Sequence, residues 1–241
     1  MEDPATRPVL FLRSFAQDLE VPPIFSVDAQ LLQEWSLEDI IATWLRPIAP
    51  VVAFGVPGER LAPADLAARL YVSGDQWQDK VRAIAQRSRL VVAVPAATAG
   101  VLWELRFIRE NVEPERVMLA LGRRTDAGFA QLRSLAEQEL RTELPPLAKI
   151  KTGDGYWIPR EQFYIFSQGW KAQLLPVQVT QTDPKGESTE LGFSLADGSC
   201  LSVKTGKLPV RDYTAAFAPV VARLAKDDPR PAPASQAAGA E

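Results

Sequence analysis

The segment "PVLFLRSF" (8–15) is a continuous apolar run followed by a polar break, the pattern of a strand buried on both faces. "SLEDIIATWLRPI" (36–48) then spaces its apolar residues at helical intervals, and Ser36 with Asp39 three residues later forms a capping signature at its start. "VVAFG" (51–55) predicts a second strand, "DQWQDKVRAIAQRS" (75–88) a helix and "RLVVAVP" (89–95) a third strand. A helix over "AGVLWELRFIREN" (99–111) follows, and then a fourth strand, "RVMLAL" (116–121). "DAGFAQLRSLAEQEL" (126–140) predicts another helix and "QFYIF" (162–166) a fifth strand. Strands that alternate with helices of this length imply an α/β fold, with a parallel sheet covered on both faces. Five strands with short connections point to the flavodoxin-like, doubly wound order.

After residue 188 the period changes. "TELGFSLADGSCLSVKTG" (189–206) alternates at period two around Asp197-Gly198, which predicts an inserted antiparallel hairpin containing Cys200. A last helix is expected over "DYTAAFAPVVARLA" (212–225), where Pro219 should kink it or mark its start. The tail from residue 227 to 241 is rich in Pro, Ala and Gly and nearly free of large apolar groups, so it is expected to be disordered. The expected organisation is one α/β domain over 1–226, with the hairpin at about 189–206 as an embellishment.

Composition narrows the chemistry. With 46% hydrophobic and 24% charged residues the chain can bury a sizeable core. The net charge of -3, without a basic run, argues against nucleic acid as a partner. No apolar run is long enough for a membrane span, and the acidic start "MEDPATRP" is unlike a signal peptide. A single cysteine allows no internal disulfide and fits a reducing cytoplasm. The absence of histidine excludes Ser-His-Asp and Cys-His nucleophiles, histidine bases and most zinc sites. Carboxylate-centred chemistry remains, on glycosidic or N-glycosidic bonds or in metal-dependent phosphoryl transfer. The last needs clustered Asp and Glu, which the pattern lacks, so no metal is expected.

In such a sheet, ligands bind outside the carboxyl ends of the strands where the strand order reverses, between the first and third strands. "RSFAQD" (13–18) and "PAATAGVLWEL" (95–105) leave those two strands, which places Glu104 near the crevice on topology alone. "LFLRSFAQD" (10–18) and "IAQRSRLVVAVPAATAGVLWELRFI" (84–108) together resemble the Toll/interleukin-1 receptor (TIR) domain family, in a divergent bacterial form. The shared pattern is a first strand ending in a Ser-Phe pair and an acidic residue. It continues with a helix ending in Ser-Arg, an apolar strand, a short loop, then Trp and Glu-Leu opening the next helix. Here Trp103 and Glu104 are adjacent, where the family usually spaces them by several residues. "GVPGERLAPADLAARLYVSGDQWQ" (55–78) stands in the place of the family's long, partner-contacting loop.

The resemblance implies cleavage of the nicotinamide–ribose bond of NAD, with NAD as substrate rather than cofactor and Glu104 as the catalytic carboxylate. Near a helix N-terminus, Glu104 is expected to be ionised by the helix dipole and to stabilise an oxocarbenium-like ribose. The resemblance further implies self-association through Pro57, Gly58 and Glu59, whose alternative is an ordinary turn. Arg13, Ser14 and Phe15 are candidates for the substrate side of the crevice, and Arg13 could equally be an ion-pair partner at a strand end. Trp103 and Trp77 are candidate stacking surfaces, with core packing as the alternative. Two other functions fit the same pattern: a non-catalytic TIR-like interaction module, and a nucleoside deoxyribosyltransferase-like enzyme with a glutamate beside the crevice. A role in bacterial defence or stress signalling follows from the resemblance alone.

Overall fold

Every side chain of strand β1 (Val9–Leu12) is buried, Val9 and Phe11 in one apolar core and Leu10 and Leu12 in another. Its sequence is a continuous apolar run because successive residues point to opposite faces and both faces are covered. The computed structural model describes residues 7–14, 37–55, 68–72, 76–122, 126–146, 150–152, 155–157, 161–175, 178–181, 189–194, 200–205 and 209–226. After β1 come α1 (Leu37–Leu45), β2 (Val51–Phe54), β3 (Ala68–Leu70), α2 (Trp77–Arg87), β4 (Leu90–Ala93), α3 (Ala99–Asn111), β5 (Val117–Gly122) and α4 (Asp126–Leu140). The second half holds β6 (Ile150–Thr152), β7 (Gly155–Trp157), β8 (Glu161–Ser167), β9 (Lys171–Leu175), β10 (Gln178–Gln181), β11 (Thr189–Ser194), β12 (Cys200–Thr205), β13 (Pro209–Asp212) and α5 (Thr214–Lys226).

Seven strands form the main sheet, in the order β3-β2-β1-β4-β5-β8-β9. The five strands predicted from sequence stand in it as second, first, third, fourth and fifth, the doubly wound flavodoxin-like order. Two edge strands, β3 and β9, are additions to that expectation. Strands β3, β2, β1, β4 and β5 are mutually parallel, β8 runs antiparallel to β5, and β9 antiparallel to β8. Glu161, which opens β8, pairs with Gly122 at the end of β5, so β8 runs back along β5.

Two cores sandwich this sheet. On one face α1 (Ile40, Ile41, Leu45) and α5 (Phe217, Val220, Leu224) cover Phe11, Val92 and Met118. On the other α2 (Val81, Ala85), α3 (Leu105, Ile108) and α4 (Phe129, Leu140) cover Leu12, Val91 and Leu119. Helix α5 runs through Pro219 and starts before it, so this proline marks no helix start. Among the described residues no helix is long and apolar enough to cross a membrane.

Arginines tie helix ends to the sheet. Arg89, buried at the entry to β4, donates to the carbonyls of Ile48 (3.3 Å) and Leu224, joining the ends of α1 and α5. Arg116 donates to the carbonyls of Ala85 (2.9 Å), Gln86 (3.1 Å) and Ser88 (3.1 Å), and to Glu113 (2.6 Å). Those carbonyls lie at the carboxyl end of α2 and its cap, where helical carbonyls run short of partners; Ala85 also accepts from the Ser88 N–H at 3.3 Å. Arg116→Met keeps the aliphatic stem and removes the donors. It is expected to lower stability by about 2–3 kcal/mol, the scale of hydrogen bonds to a charged group. Urea unfolding at fixed pH measures this, and a loss below about 0.5 kcal/mol would mean that water serves those carbonyls equally well.

The predicted hairpin is present. β11 and β12 pair antiparallel from Thr189↔Thr205 to Ser194↔Cys200, a register symmetric about Asp197. They form a two-stranded sheet of their own, as do β10 with β13 and β6 with β7. Deleting residues 189–206 is therefore expected to leave cooperative unfolding of the seven-stranded core intact. A broad, non-cooperative melt of the deletion variant would instead make the hairpin part of the core. Ser36, the Asp197-Gly198 turn and the tail from 227 lie outside the described residues.

Candidate functional site

The strand order reverses at β1, which has β2 on one side and β4 on the other. Arg13 and Ser14 leave the carboxyl end of β1, and the ladder continues past it through Val94 N–H donating to the Leu12 carbonyl at 2.8 Å. From β4 the chain passes through Pro95 to Thr98, whose extended backbone (φ -106, ψ 146) and side-chain oxygen, accepting from Val101 N–H at 3.4 Å, cap α3. The capping threonine sets the helix start at Ala99 and so sets which residues of α3 face the sheet.

That start corrects one expectation. Glu104 is the sixth residue of α3, and no acidic residue lies in the first turn. The helix dipole acts within about one turn, so it does not hold this carboxyl ionised. Glu104 is instead turned into the protein, with 8% of its surface exposed, and its Oε2 has no hydrogen-bond partner. Burial alone pushes its carboxyl up to about 8, so the free protein holds it as a neutral acid at neutral pH. It shares its side of α3 with Gly100, one turn before, and Ile108, one turn after, between the apolar stripe of Val101 and Leu105 and the aromatic side of the helix.

The aromatic side is densely used. Trp103 meets Trp77 edge-on at 4.9 Å, stacks with Phe107 at 5.5 Å and carries the Arg82 guanidinium 5.0 Å above its ring. Trp77, the first residue of α2, also lies beside Gly100: a Cβ there would stand 3.8 Å from the indole. Trp77 and Trp103 thus join α2 to α3 next to Glu104. Their contacts are those of packing residues.

Arg13 takes the other side of the sheet. Its Nη2 lies 2.8 Å from Glu38 Oε2, and Arg69 Nη2 lies 3.2 Å from the same oxygen. Glu38 belongs to α1, whose apolar residues fill the first core, whereas α3 fills the second. The structure therefore assigns Arg13 its ion-pair role and does not bring it beside Glu104. Ser14 is buried. Arg69 was not foreseen, because its segment is too short to read as a strand. Near it, Tyr71 lies over Gly55 at the end of β2, where a Cβ would stand 2.8 Å from the ring's Cδ1. Phe15, Pro57, Gly58 and Glu59 lie outside the described residues.

Among the described residues no group of three His, Cys, Asp or Glu side chains is placed to hold a metal ion. A cleft of about 200 Å³ between the carboxyl ends of α3 and α4 is lined by Arg106, Arg109, Glu110, Gln138, Glu139 and Arg141. Arg106 and Glu139 form a bidentate pair across it (2.6 and 3.0 Å), and Arg109 stacks on Trp170 at 4.9 Å. Arg109 lies in the last turn of α3, where a cation suits the helix dipole, and the cleft lies away from the crevice at the strands' carboxyl ends. No protein-family model matches the chain, and neither a curated protein nor a solved structure matches it.

Proposed function

We propose that the chain is a TIR-like enzyme that cleaves the nicotinamide–ribose bond of NAD, with Glu104 as its catalytic carboxylate. The observation that carries this reading is the buried carboxyl of Glu104, with one oxygen unpartnered, on the helix that follows β4, the neighbour of β1 where the strand order reverses. A buried acid without its hydrogen bonds is destabilising, and such groups persist mainly where function needs them. In the reaction the C1′–N bond breaks, and its electron pair neutralises the pyridinium ring. Nicotinamide therefore leaves without a proton, and water adds to the ribosyl cation. One carboxylate facing that cation suffices, in keeping with a chain that has no histidine. Assembly with a second copy would complete the crevice, and a bacterial defence or stress role belongs to the same proposal.

A non-catalytic interaction module is supported by a different observation. Leu70, the last residue of edge strand β3, and Tyr71 after it are 37% and 48% exposed, the two large exposed apolar residues among those described. Incubating the purified chain at high concentration with NAD, and separately with a deoxynucleoside plus a free base, distinguishes the readings. Nicotinamide release is the expected result. Base exchange would point to a deoxyribosyltransferase-like enzyme, and activity in neither to the interaction module.

A further inference from the structure

We infer that the cleft between the carboxyl ends of α3 and α4 is a second ligand site, in which Arg109 and Arg141 clamp a carboxylate. The cleft lies at the far end of α3 from the crevice, so the site stands whether or not the chain cleaves NAD.

Backbone strain sets this cleft apart. Among the described residues, two other than glycine have a left-handed backbone, Arg141 (φ 49) and Trp170 (φ 62). Arg141 lines the cleft, and Trp170 carries the Arg109 guanidinium 4.9 Å from its ring centre. The Thr142 hydroxyl donates to the Trp170 carbonyl at 2.6 Å and so ties the two strained segments together. Arg141 closes α4 in a Schellman motif: its N–H donates to the Gln138 carbonyl at 3.4 Å, and the Thr142 N–H to that of Glu137 at 3.1 Å. Glycine is the usual residue at that left-handed position, because a Cβ there crowds the next carbonyl. Other residues persist in this conformation mainly where their side chains are used.

Arg109 supplies the other half of the clamp. Stacking on Trp170 fixes the plane of its guanidinium. Its Nε is buried without a hydrogen-bond partner, so the Nη edge is the one left for a ligand. The last turn of α3 favours a cation here, yet a helix dipole asks only for charge and leaves those donors unspent.

Charge balance selects the ligand. Arg106 and Glu139 satisfy each other in their bidentate pair, so Arg109 and Arg141 stand against Glu110 alone. The two helix ends add partial negative charge. What remains is too little for a doubly charged anion and suits one carboxylate, whose two oxygens match a guanidinium edge. About 200 Å³ admits a small organic acid or the end of an acidic side chain.

The experiment is an NMR titration of the full chain with sodium acetate, with N-acetylglutamate amide and with sodium sulfate, the ionic strength held constant with sodium chloride. Acetate is expected to shift the backbone amide signals of Arg109 and Arg141 to saturation, while that of Arg82 on α2 stays in place. Sulfate should bind more weakly. Tighter binding of acetate than of the capped glutamate identifies a free acid as the ligand, and the reverse an acidic side chain. Arg109→Lys keeps the charge and loses the planar edge. It should weaken acetate binding about tenfold, the scale of one hydrogen bond to a charged group. Arg141→Gly should weaken it as much and yet raise the Tm of the free chain, because glycine relieves the strain. Shifts that grow linearly with salt, or an Arg141→Gly variant that binds acetate as the parent does, would overturn the carboxylate site. So would a lowered Tm in that variant, which would make the arginine structural, or tighter binding of sulfate than of acetate.

Discussion

Glu104→Gln is expected to slow NAD cleavage by at least ~10²-fold while keeping the fold, the scale of losing one preorganised electrostatic group. The amide matches the acid in size and helical compatibility, and at neutral pH the acid it replaces is itself uncharged, so packing against Val101, Leu105 and Ile108 is preserved. What the amide cannot do is ionise when positive charge arrives. The loss should therefore fall mainly on kcat, since the interaction removed strengthens as the ribosyl cation forms. Nicotinamide release by the parent should also rise steeply with protein concentration, because the described crevice offers few polar groups of its own and a second copy would complete it. A variant that cleaves NAD as fast as the parent would refute the catalytic role of Glu104. A variant that unfolds would make Glu104 structural, and the chain has no histidine to take its place.

The sheet was legible wherever a strand is buried on both faces. β1, β4 and β5 are nearly continuous apolar runs, and their order followed from their alternation with helices. The two strands of the main sheet without a sequence signal are its edge strands, which have exposed positions, β3 reading exposed–intermediate–exposed and β9 alternating along most of its length. Such short, half-solvated segments carry no pattern that separates them from loops. The antiparallel direction of β8 is set by its pairing with β5, some forty residues earlier in the chain, which local pattern does not encode.

The site was legible to the same extent. The alternation of elements put Glu104 on the helix after the third predicted strand, and α3 does follow β4. Its protonation was misjudged because that depends on packing from other elements, whereas the sequence shows only its distance from a helix end. The Arg69–Glu38 contact spans 31 residues of sequence, and the Trp77–Trp103 contact joins two helices. Neither leaves a local signature.

The same carboxyl makes a second large prediction, on stability against pH. Unfolded, Glu104 titrates near 4.5, and folded near 8. Between those values the native state keeps a proton that the unfolded state has lost, so stability falls as pH rises. The contribution is fully present below about pH 4.5 and is lost as pH rises through about 8, a total of about 5 kcal/mol. That is a large share of the 5–15 kcal/mol by which a domain is ordinarily stable. On the acid side the Arg116 hydrogen bond holds the Glu113 carboxyl below its ordinary value, and its support is lost on acidification. Glu104→Gln removes the alkaline limb alone. Urea unfolding at about pH 5 and pH 8 should show parent and variant nearly equal at the lower pH, and the variant more stable by several kcal/mol at the higher. Parallel stability curves across that range would mean that the native carboxyl is already ionised.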